Sequence, residues 1–544
     1  MKKTICMILA LVLCFGLLVG CGAKEETPAP APGGNEGTSV EDKLVNTSGS
    51  SSEGASTATP PPAEAKYKVD LVLLIDDKVA ILDPTAAGSN CSQMGNVYHM
   101  CYDTLITYTL EGTYEPGLAT EWTANEDYTE FNFKLREGVK YHNGETFTAD
   151  DVVFTFERSM ANPGCPNFDR ANQIESIETP DDYTVIFKMK QPAYDWYYDM
   201  ANPVGFIILN REAVEADAYT GAMVGTGPWA VSEFVTSESI TYTRNDDYFG
   251  EKPYAKTFKM LYIAEDTARY IMFDNDEADW VVINSVYIPQ YSNDPNYVMS
   301  SVVVNNPGYY AMNTQKAPFD DINFRLACAH ATNDEEIVAL AFSGFAAAHD
   351  TGAMWGWTSA YKDTSIPKYE YNVELAKEYL AKSSYDGRKI TLAASMPHTK
   401  RIAAAVQGQL TAIGINCELY ECDGPTLTAQ SMWGHDLDIV VNSHVFSPLA
   451  NSIDAAVTIG HQNNKAQLTN QEANDLAAKA RVTPDGEERE AMYHRIQEIL
   501  HEECAYVTTA HNMLYTCGWK GTGGAKFFST AYNDYSLAYR IIEE

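Results

Sequence analysis

Three histidines lie close together in the second half of the chain, at His435, His444 and His461. Imidazole is a common ligand of transition metals, so a metal site is the first chemistry to consider. The intervals between the three residues are wider than those of a compact ligand set in one loop or on one helix face. The spacing is typical of separate loop histidines, and metal binding stays open as an alternative.

The motifs of hydrolytic enzymes are absent from the sequence. It contains no G-x-S-x-G elbow, and His501-Glu502-Glu503-Cys504-Ala505 lacks the second histidine of the zinc motif H-E-x-x-H. Asp150 and Asp151 form an adjacent carboxylate pair, but they stand where a helix should begin and are expected to cap it. The sequence therefore predicts a protein that is not an enzyme.

Cys21 is the residue for which the sequence predicts a covalent modification. Lys2 and Lys3 precede an apolar run from Ile5 to Val19, which is the order of a secretory signal. The run ends at Leu18-Val19-Gly20-Cys21, which resembles the lipobox, where a diacylglyceryl group is attached to the cysteine before the signal is cleaved. We expect residues 1–20 to be a signal peptide and the lipid on Cys21 to anchor the mature chain to the cell membrane.

The composition changes after the anchor. Residues 21–65 are rich in Pro, Ala, Gly, Ser, Thr and Glu, with few large apolar side chains, and are predicted to form a disordered tether. The chain has 544 residues, of which 45% are hydrophobic, so the remainder is large enough for two or three lobes.

The chain is strongly acidic, with a formal net charge of -36. This charge repels nucleic acid and anionic membrane surfaces, and it favours solubility. Outside the signal and Cys21, eight cysteines stand at positions 91, 101, 165, 328, 417, 422, 504 and 517. Their spacing matches neither a zinc site nor a redox motif, and their pairing is left open.

Periodicity indicates which elements the soluble part contains. Lys68 to Ile75 and the alternating stretch from Tyr128 to Lys134 are predicted as strands. Ile390–Ala394 and Asn416–Glu421 are predicted as strands on either side of a helix that ends at Gly414, which makes a βαβ unit.

Two more helices are predicted in the second half. Asn333 is expected to cap the first, with Glu336 three residues later and Gly344 beyond its end. The second has an apolar stripe made of Met492, Ile496, Ile499 and Leu500. The first third of the chain is thus strand-rich, and the second half is an α/β lobe.

A series of short motifs runs in a fixed order from about Asp70 to the end of the chain. The most specific are Phe133–Gly144 and Phe147–Phe156; the others are Tyr102–Leu105, Glu115–Ala119, Trp122, Gly225–Trp229, Arg244-Asn245, Tyr248–Gly250, Glu277–Asp279, Asn313-Thr314 and Pro318–Asp321. Together they resemble the extracellular solute-binding proteins that serve oligopeptide, dipeptide and nickel ABC importers, known as solute-binding family 5.

This resemblance implies a two-lobed α/β fold of the periplasmic-binding-protein type, with an additional subdomain in the first lobe. Lobe I would comprise residues 66–310 and 506–544, and lobe II residues 311–505. The two strand crossings are expected near Asn306–Asn313 and Ala505–Thr509, with a hinge that closes on the solute.

The resemblance also implies a function. Outside the cytoplasmic membrane, the protein would capture a peptide or peptide-like solute and deliver it to an ABC permease with its ATP-binding subunits. It would act as a monomer and without a cofactor. A metal chelate or other non-peptide solute is the alternative cargo. A receptor that senses a peptide signal without import is the other alternative, and neighbouring permease and ATPase genes would distinguish it.

Peptide carriers of the family hold the ligand's amino terminus with an aspartate, and here Ser447 falls at that position. A hydroxyl cannot balance a buried ammonium, so an amine-anchored peptide requires another carboxylate, such as Asp454. The remaining candidate ligand contacts are aromatic and amide-type groups expected to face the cleft: Asn90, Tyr310, Trp355, Trp357, Asn442 and His444.

Overall fold

The structure, a computed structural model, describes residues 66–86, 94–109, 113–202, 205–352, 361–431, 436–443, 451–461, 463–527 and 533–543. Among the described residues, no helix combines the length and the apolar character needed to cross a membrane.

The strands of the described ranges vary from two to sixteen residues in length. They are β1 Lys66–Tyr67, β2 Asp70–Ile75, β3 Ile106–Tyr108, β4 Tyr114–Pro116, β5 Ala119–Ala124, β6 Glu130–Leu135, β7 Ile174–Asp181, β8 Thr184–Met189, β9 Trp229–Val235, β10 Ser239–Arg244, β11 Thr257–Tyr262, β12 Trp280–Val282, β13 Tyr297–Met312, β14 Ala347–Ala348, β15 Ile390–Ala394, β16 Cys417–Glu421, β17 Ile439–Ser443, β18 Tyr506–Trp519, β19 Thr522–Gly523, β20 Lys526–Phe527, β21 Asn533–Asp534 and β22 Tyr539–Glu543.

The α-helices of the described ranges are divided evenly, with eight before residue 320 and eight after it. They are α1 Met94–Cys101, α2 Ala149–Ala161, α3 Phe168–Ala171, α4 Trp196–Ala201, α5 Arg211–Ala216, α6 Ala218–Gly221, α7 Asp266–Asp274, α8 Ile288–Tyr291, α9 Ile322–Ala331, α10 Asp334–Phe342, α11 Val373–Lys382, α12 Pro397–Ala412, α13 Gly424–Ala429, α14 Asn451–Val457, α15 Gln471–Ala480 and α16 Glu487–Glu503.

One eleven-stranded sheet runs through the molecule in the order β16-β15-β17-β13-β18-β12-β2-β11-β10-β9, with β14 beside β18. Strands β15, β16 and β17 belong to the second lobe, where β15 is parallel to both neighbours. Strands β2, β11 and β12 are parallel in the first lobe. Among the strands of the described ranges, only the long antiparallel pair β13 and β18 takes part in both halves of this sheet, which confirms the two-lobed α/β fold.

The additional subdomain has its own sheet and its own core. Its four strands follow the order β5-β6-β8-β7. Phe131 and Phe133 of β6 point into a cluster with Phe156, Phe187 and Trp196, because alternate residues of a strand lie on one face. The strand predicted from this alternation is confirmed.

Helices pack on both faces of the second lobe's sheet. On one face of the sheet, Tyr310, Ile402 and Val441 lie in a core with the helices that begin at residues 322, 334 and 397. On the other face, Tyr309 and Tyr493 lie in a core with the helices that begin at 451, 471 and 487. The lobe is therefore a three-layer α/β unit.

The predicted βαβ unit is present as β15, α12 and β16, which pair in parallel from Ile390 opposite Cys417. Gly414 has a φ of 100°, a backbone conformation that favours glycine after a helix end. The Asn333 side chain accepts a hydrogen bond from the backbone N–H of Glu336, so the predicted cap is confirmed. Asp151 likewise accepts from the backbone N–H of Thr148 at the start of α2.

The Gly225–Pro228 turn needs glycine because it lies very close to the backbone of Cys101. A Cβ on Gly225 would lie 1.8 Å from the backbone oxygen of Cys101, and one on Gly227 would lie 2.6 Å from the carbonyl carbon of Cys101. Neither glycine has a positive φ. Close approach of two backbone segments, rather than backbone conformation, excludes a side chain here.

Candidate ligand-binding site between the lobes

The centre of the site is the pair of strands that connects the lobes. Strands β13 and β18 pair from Tyr297 opposite Trp519 to Ala311 opposite Tyr506. Their register shifts between Val303 and Pro307 and again between Gly308 and Tyr309. Bulges of this kind bend a strand and increase its twist. The irregular register lies close to the predicted first crossing and makes this segment the natural bending point.

Gly308 lies at the bending point, between Ser443 of β17 and Ala510 of β18. A Cβ at this position would be 2.9 Å from Cδ1 of Ile402 and 3.2 Å from Oγ1 of Thr509. The helix that begins at Pro397 therefore packs directly onto the backbone of the connecting strand. Movement of this strand is coupled to the core of the second lobe.

The carboxyl ends of the second lobe's parallel strands reach the same edge. Ser443 ends β17, and its Oγ lies 2.8 Å from Nε2 of His398, in the first turn of α12. Burial lowers the pKa of His398 to about 4, so its imidazole is neutral at physiological pH. In open α/β sheets, ligands bind outside the carboxyl ends of the strands. His398 and Ser443 thus form a neutral polar pair at the expected edge.

Two of the predicted contact residues lie next to this edge, on opposite faces of the sheet. Asn442 is half-buried, and its Nδ2 is 3.4 Å from the hydroxyl of Tyr309. Tyr310 is fully buried in the core of the second lobe, with its hydroxyl 2.8 Å from Oγ1 of Thr332. This placement favours a core role for Tyr310 instead of the predicted ligand contact, whereas Asn442 keeps an accessible position.

The other predicted site residues lie outside the described ranges. These are Cys21, Asn90, Trp355, Trp357, His444 and Ser447, together with His435 of the histidine group. His444 and Ser447 follow directly in sequence after Ser443, the last residue of β17. His461 is described, and its Nδ1 accepts a hydrogen bond from the backbone N–H of Asn463 at 3.1 Å.

A second contact between the lobes is ionic. Arg489 of α16 donates from Nη2 to both carboxylate oxygens of Asp195, which lies in the subdomain of the first lobe. Arg489 is 1% exposed, and its guanidinium lies 5.7 and 5.8 Å from the ring centroids of Tyr361 and Tyr493. Burial raises the pKa of Asp195, and Arg489 opposes that rise. The pair joins the subdomain to the second lobe.

Asp454, the carboxylate that sequence analysis offered as a substitute anchor, is fully buried behind this contact. Its Oδ2 accepts from Nε of Arg481 at 2.9 Å, and its Oδ1 has no hydrogen-bond partner among the described residues. Burial raises the pKa of Asp454 to about 7, against the opposing effect of Arg481. A ligand ammonium would have to compete with Arg481 for this carboxylate.

The first lobe contributes a polar cluster around the buried Arg269 at the carboxyl ends of its own parallel strands. Nη1 of Arg269 donates to the backbone oxygen of Ile263 at 2.8 Å, and Nδ2 of Asn284 donates to Asp266 at 2.7 Å. Arg269 also pairs with Asp266. Burial lowers the pKa of Arg401 in the second lobe, and Asp266 opposes this shift from the first lobe.

Sequence analysis missed most of this site. Asp195 and Arg489 are separated by 294 residues, and no local pattern relates them. His398 follows Pro397 at the start of a helix that comes directly after a strand. That position after a predicted strand is the signal that could have identified it.

Comparison with known proteins gives consistent matches. The family model described as "Bacterial extracellular solute-binding proteins, family 5 Middle" matches residues 113–466. The dipeptide-binding protein of Escherichia coli strain K12 is 26% identical over 467 residues, which cover 76% of this chain and 84% of that protein. The nickel-binding periplasmic protein of the same strain is 24% identical over 76% of this chain and 84% of its own length.

Solved structures share the fold. NikA from Brucella suis in complex with Fe(III)-EDTA superposes with a TM-score of 0.80 at 23% identity, over 87% of this chain and all of that chain. The substrate-binding protein CtaP of Listeria monocytogenes gives a TM-score of 0.78 at 20% identity, over 88% of this chain and 100% of its own.

Proposed function

Because the chain belongs to the bacterial extracellular solute-binding proteins of family 5, we propose that it captures a solute between its two lobes and delivers it to the permease of an ABC importer. The single observation that carries this proposal is the pair of strands β13 and β18, which joins the two halves of the main sheet and has irregular register at its centre. Such a connection permits hinge closure around a ligand.

The solute we propose is a peptide or a peptide-like molecule. Relatives named for dipeptides and for di- and tripeptides support this class. The residues proposed to contact it are Asn442, Trp355, Trp357, His444, Ser447 and Asn90. Since Ser447 replaces the family's aspartate and Asp454 is already bound by Arg481, the amino terminus of the solute is not its main anchor.

A non-peptide solute such as a metal chelate is the second candidate. The salt bridge between Asp454 and Arg481 favours this candidate. Because Arg481 already neutralises this buried carboxylate, Asp454 is not available to bind the ammonium group of a peptide. Relatives named for nickel and for heme show that the family includes such cargo. The neutral His398 and Ser443 pair suits an uncharged polar ligand group.

The lipid anchor belongs to the proposal. Lipidation of Cys21 would hold the binding domain outside the cytoplasmic membrane near its permease, and the tether of residues 21–65 would set how far it can reach. Replacement Cys21→Ala is expected to release the chain from the membrane fraction with unchanged solute affinity. If affinity also fell, the separation into anchor, tether and binding domain would be wrong.

A ligand panel tests the function. The purified chain without residues 1–21 would be titrated with dipeptides, tripeptides, their N-acetylated forms and nickel or iron chelates, with thermal unfolding as readout. Stabilisation by peptides, in both free and acetylated form, is the expected result. Stabilisation by chelates alone would replace the peptide assignment with the second candidate, and the absence of any 1:1 ligand in a lysate extract would contradict solute capture.

A further inference from the structure

Two buried histidines from distant parts of the sequence stack beside the strand connection. The rings of His349 and His511 are 4.7 Å apart between centroids with an interplanar angle of 16°. His349 follows β14, and His511 lies on β18 opposite Pro307 of β13. The two side chains are 1% and 0% exposed. This pair is separate from the histidines that sequence analysis grouped.

The hydrogen bonding of His349 fixes which ring nitrogen carries the proton. Its Nδ1 lies 2.5 Å from the backbone oxygen of Thr351. A carbonyl oxygen can only accept, so Nδ1 is the donor and the lone pair of the neutral ring is on Nε2. That Nε2 is buried and has no hydrogen-bond partner among the described residues. An imidazole oriented in this way by a backbone carbonyl is the usual form of a metal ligand.

A carboxylate completes the group. Asp350 follows His349, and one ligand atom each from His349, Asp350 and His511 lie within 4.8 Å of one another. The Asp350 side chain is 39% exposed, which gives an ion a path from solvent. Lys362 has a side chain only 6% exposed, and its Nζ lies 2.6 and 2.5 Å from the two carboxylate oxygens of Asp350.

We propose that His349, His511 and Asp350 form a binding site for a divalent transition metal ion, and that Lys362 holds the compensating positive charge when no ion is bound. Metal–ligand bonds to imidazole and carboxylate are about 2.0–2.2 Å long, so the three donor atoms must draw together by side-chain rotation when the ion binds. Asp350 then exchanges Lys362 for the metal, and Lys362 turns towards solvent.

The ligand types select the ion. Two imidazole nitrogens and one carboxylate favour Zn²⁺, Ni²⁺, Co²⁺ or Fe²⁺, whereas Mg²⁺ and Ca²⁺ require mostly oxygen ligands. Three protein ligands leave at least one coordination position for water. The ion would also cross-link β14 to β18 next to the bending point. This inference goes beyond the proposed function. Metal binding at this site can be measured in the absence of any solute, so its test does not depend on solute capture.

The test is calorimetric titration of the tag-free protein lacking residues 1–21, after chelator treatment and dialysis, with Zn²⁺, Ni²⁺ and Mg²⁺. We expect one Zn²⁺ or Ni²⁺ per chain and no binding of Mg²⁺ at this site. His349→Gln and His511→Gln should each lower Zn²⁺ affinity at least tenfold, whereas Lys362→Met should raise it at least threefold. His494→Gln, which alters a half-exposed histidine on α16, is the matched control and should leave the affinity unchanged.

Co²⁺ gives an independent readout, since its visible absorption reports nitrogen coordination and should disappear in His349→Gln. If Zn²⁺ affinity is the same in His349→Gln and the unmodified protein, the site is refuted. Circular dichroism checks the folding of each variant. If the buried histidine variants do not fold, Asp350→Asn and Lys362→Met provide the test. Asp350→Asn should lower Zn²⁺ affinity and Lys362→Met should raise it. Unchanged Zn²⁺ affinity in both variants overturns the proposal.

Discussion

The guanidinium of Arg489 donates to both carboxylate oxygens of Asp195, at 3.0 and 3.1 Å, and this pair joins the second lobe to the subdomain of the first. Arg489 is almost completely buried and also binds Asp485 from Nη1 at 2.6 Å. An ion pair with one buried partner contributes little net stability when intact, but removing one charge leaves the other without compensation. The pair therefore makes closure of the lobes sensitive to either residue.

Asp195→Asn is expected to lower the free energy of unfolding by roughly 2 kcal/mol, because the buried Arg489 loses one of the two carboxylates that it binds, Asp195 and Asp485. Chemical denaturation measures this, and small-angle scattering should show a more open average shape. The exposed Glu498, which pairs with Arg495, supplies the control variant Glu498→Gln, expected to change stability by less than about 0.5 kcal/mol. Equal effects of the two variants would mean that Asp195 does not link the lobes.

The raised pKa of Asp454 leads us to expect that the free energy of unfolding depends on pH. Burial raises its pKa to about 7, so the stability that this carboxyl contributes is present below its ordinary pKa of about 4 and is lost as pH rises through 7. Relative to Asp454→Asn, the unmodified protein should lose at least about 1 kcal/mol of unfolding free energy between pH 4 and 7, since one pKa unit corresponds to about 1.4 kcal/mol. Urea unfolding across this range measures the difference.

The control for this titration is Asp247→Asn, which removes an exposed carboxyl. As a surface substitution, it should change the free energy of unfolding by less than about 0.5 kcal/mol at each pH measured. A difference for Asp454→Asn that stays constant over the same range would show that Asp454 does not have the raised pKa.

Two glycines predict opposite effects of the same substitution. Gly225→Ala should lower the free energy of unfolding by about 2 kcal/mol or more, because the new Cβ would lie 1.8 Å from the backbone oxygen of Cys101. Gly408→Ala, inside α12 with no atom within 4 Å of the new Cβ, should raise it by about 0.5–1 kcal/mol. Thermal and urea unfolding distinguish the two, and a neutral Gly225→Ala would contradict the close approach.

Ser447→Asp tests the assignment of the amine-binding position. If Ser447 stands where peptide carriers have their aspartate, the new carboxylate should give at least tenfold tighter binding of dipeptides with a free amino terminus. N-acetylated dipeptides should show no gain. Calorimetric titration makes the comparison, and no change for either class would mean that the amine-binding position lies elsewhere.

The elements that sequence analysis placed correctly are those with a strong local period. The strand predicted as Ile390–Ala394 has those bounds in the structure, and the helix after it ends two residues before Gly414, which has positive φ. The spacing of apolar residues indicates the strand and the helix, and a glycine after the helix indicates where the helix ends. The ranges predicted for the crossings overlap β13 and β18, and the crossings themselves stay a prediction.

The site itself depends on contacts that no local pattern encodes. His349 and His511 meet because β14 pairs with β18, and β14 is only two residues long. The sequence instead suggested a possible metal site at His435, His444 and His461, because these three histidines lie close together along the chain. Tyr310 was selected as an aromatic near the crossing, yet alternation along β13 turns it into the core and leaves Tyr309 on the face of Asn442.

Solute capture between the lobes is tested most directly by quantitative mass spectrometry of the small molecules released when the natively purified protein is denatured. We predict one solute molecule per chain, of peptide or peptide-like composition, which is absent from a matched preparation of the same protein refolded without lysate. A protein that releases no molecule above the level of the refolded preparation would contradict capture of a solute between the two lobes.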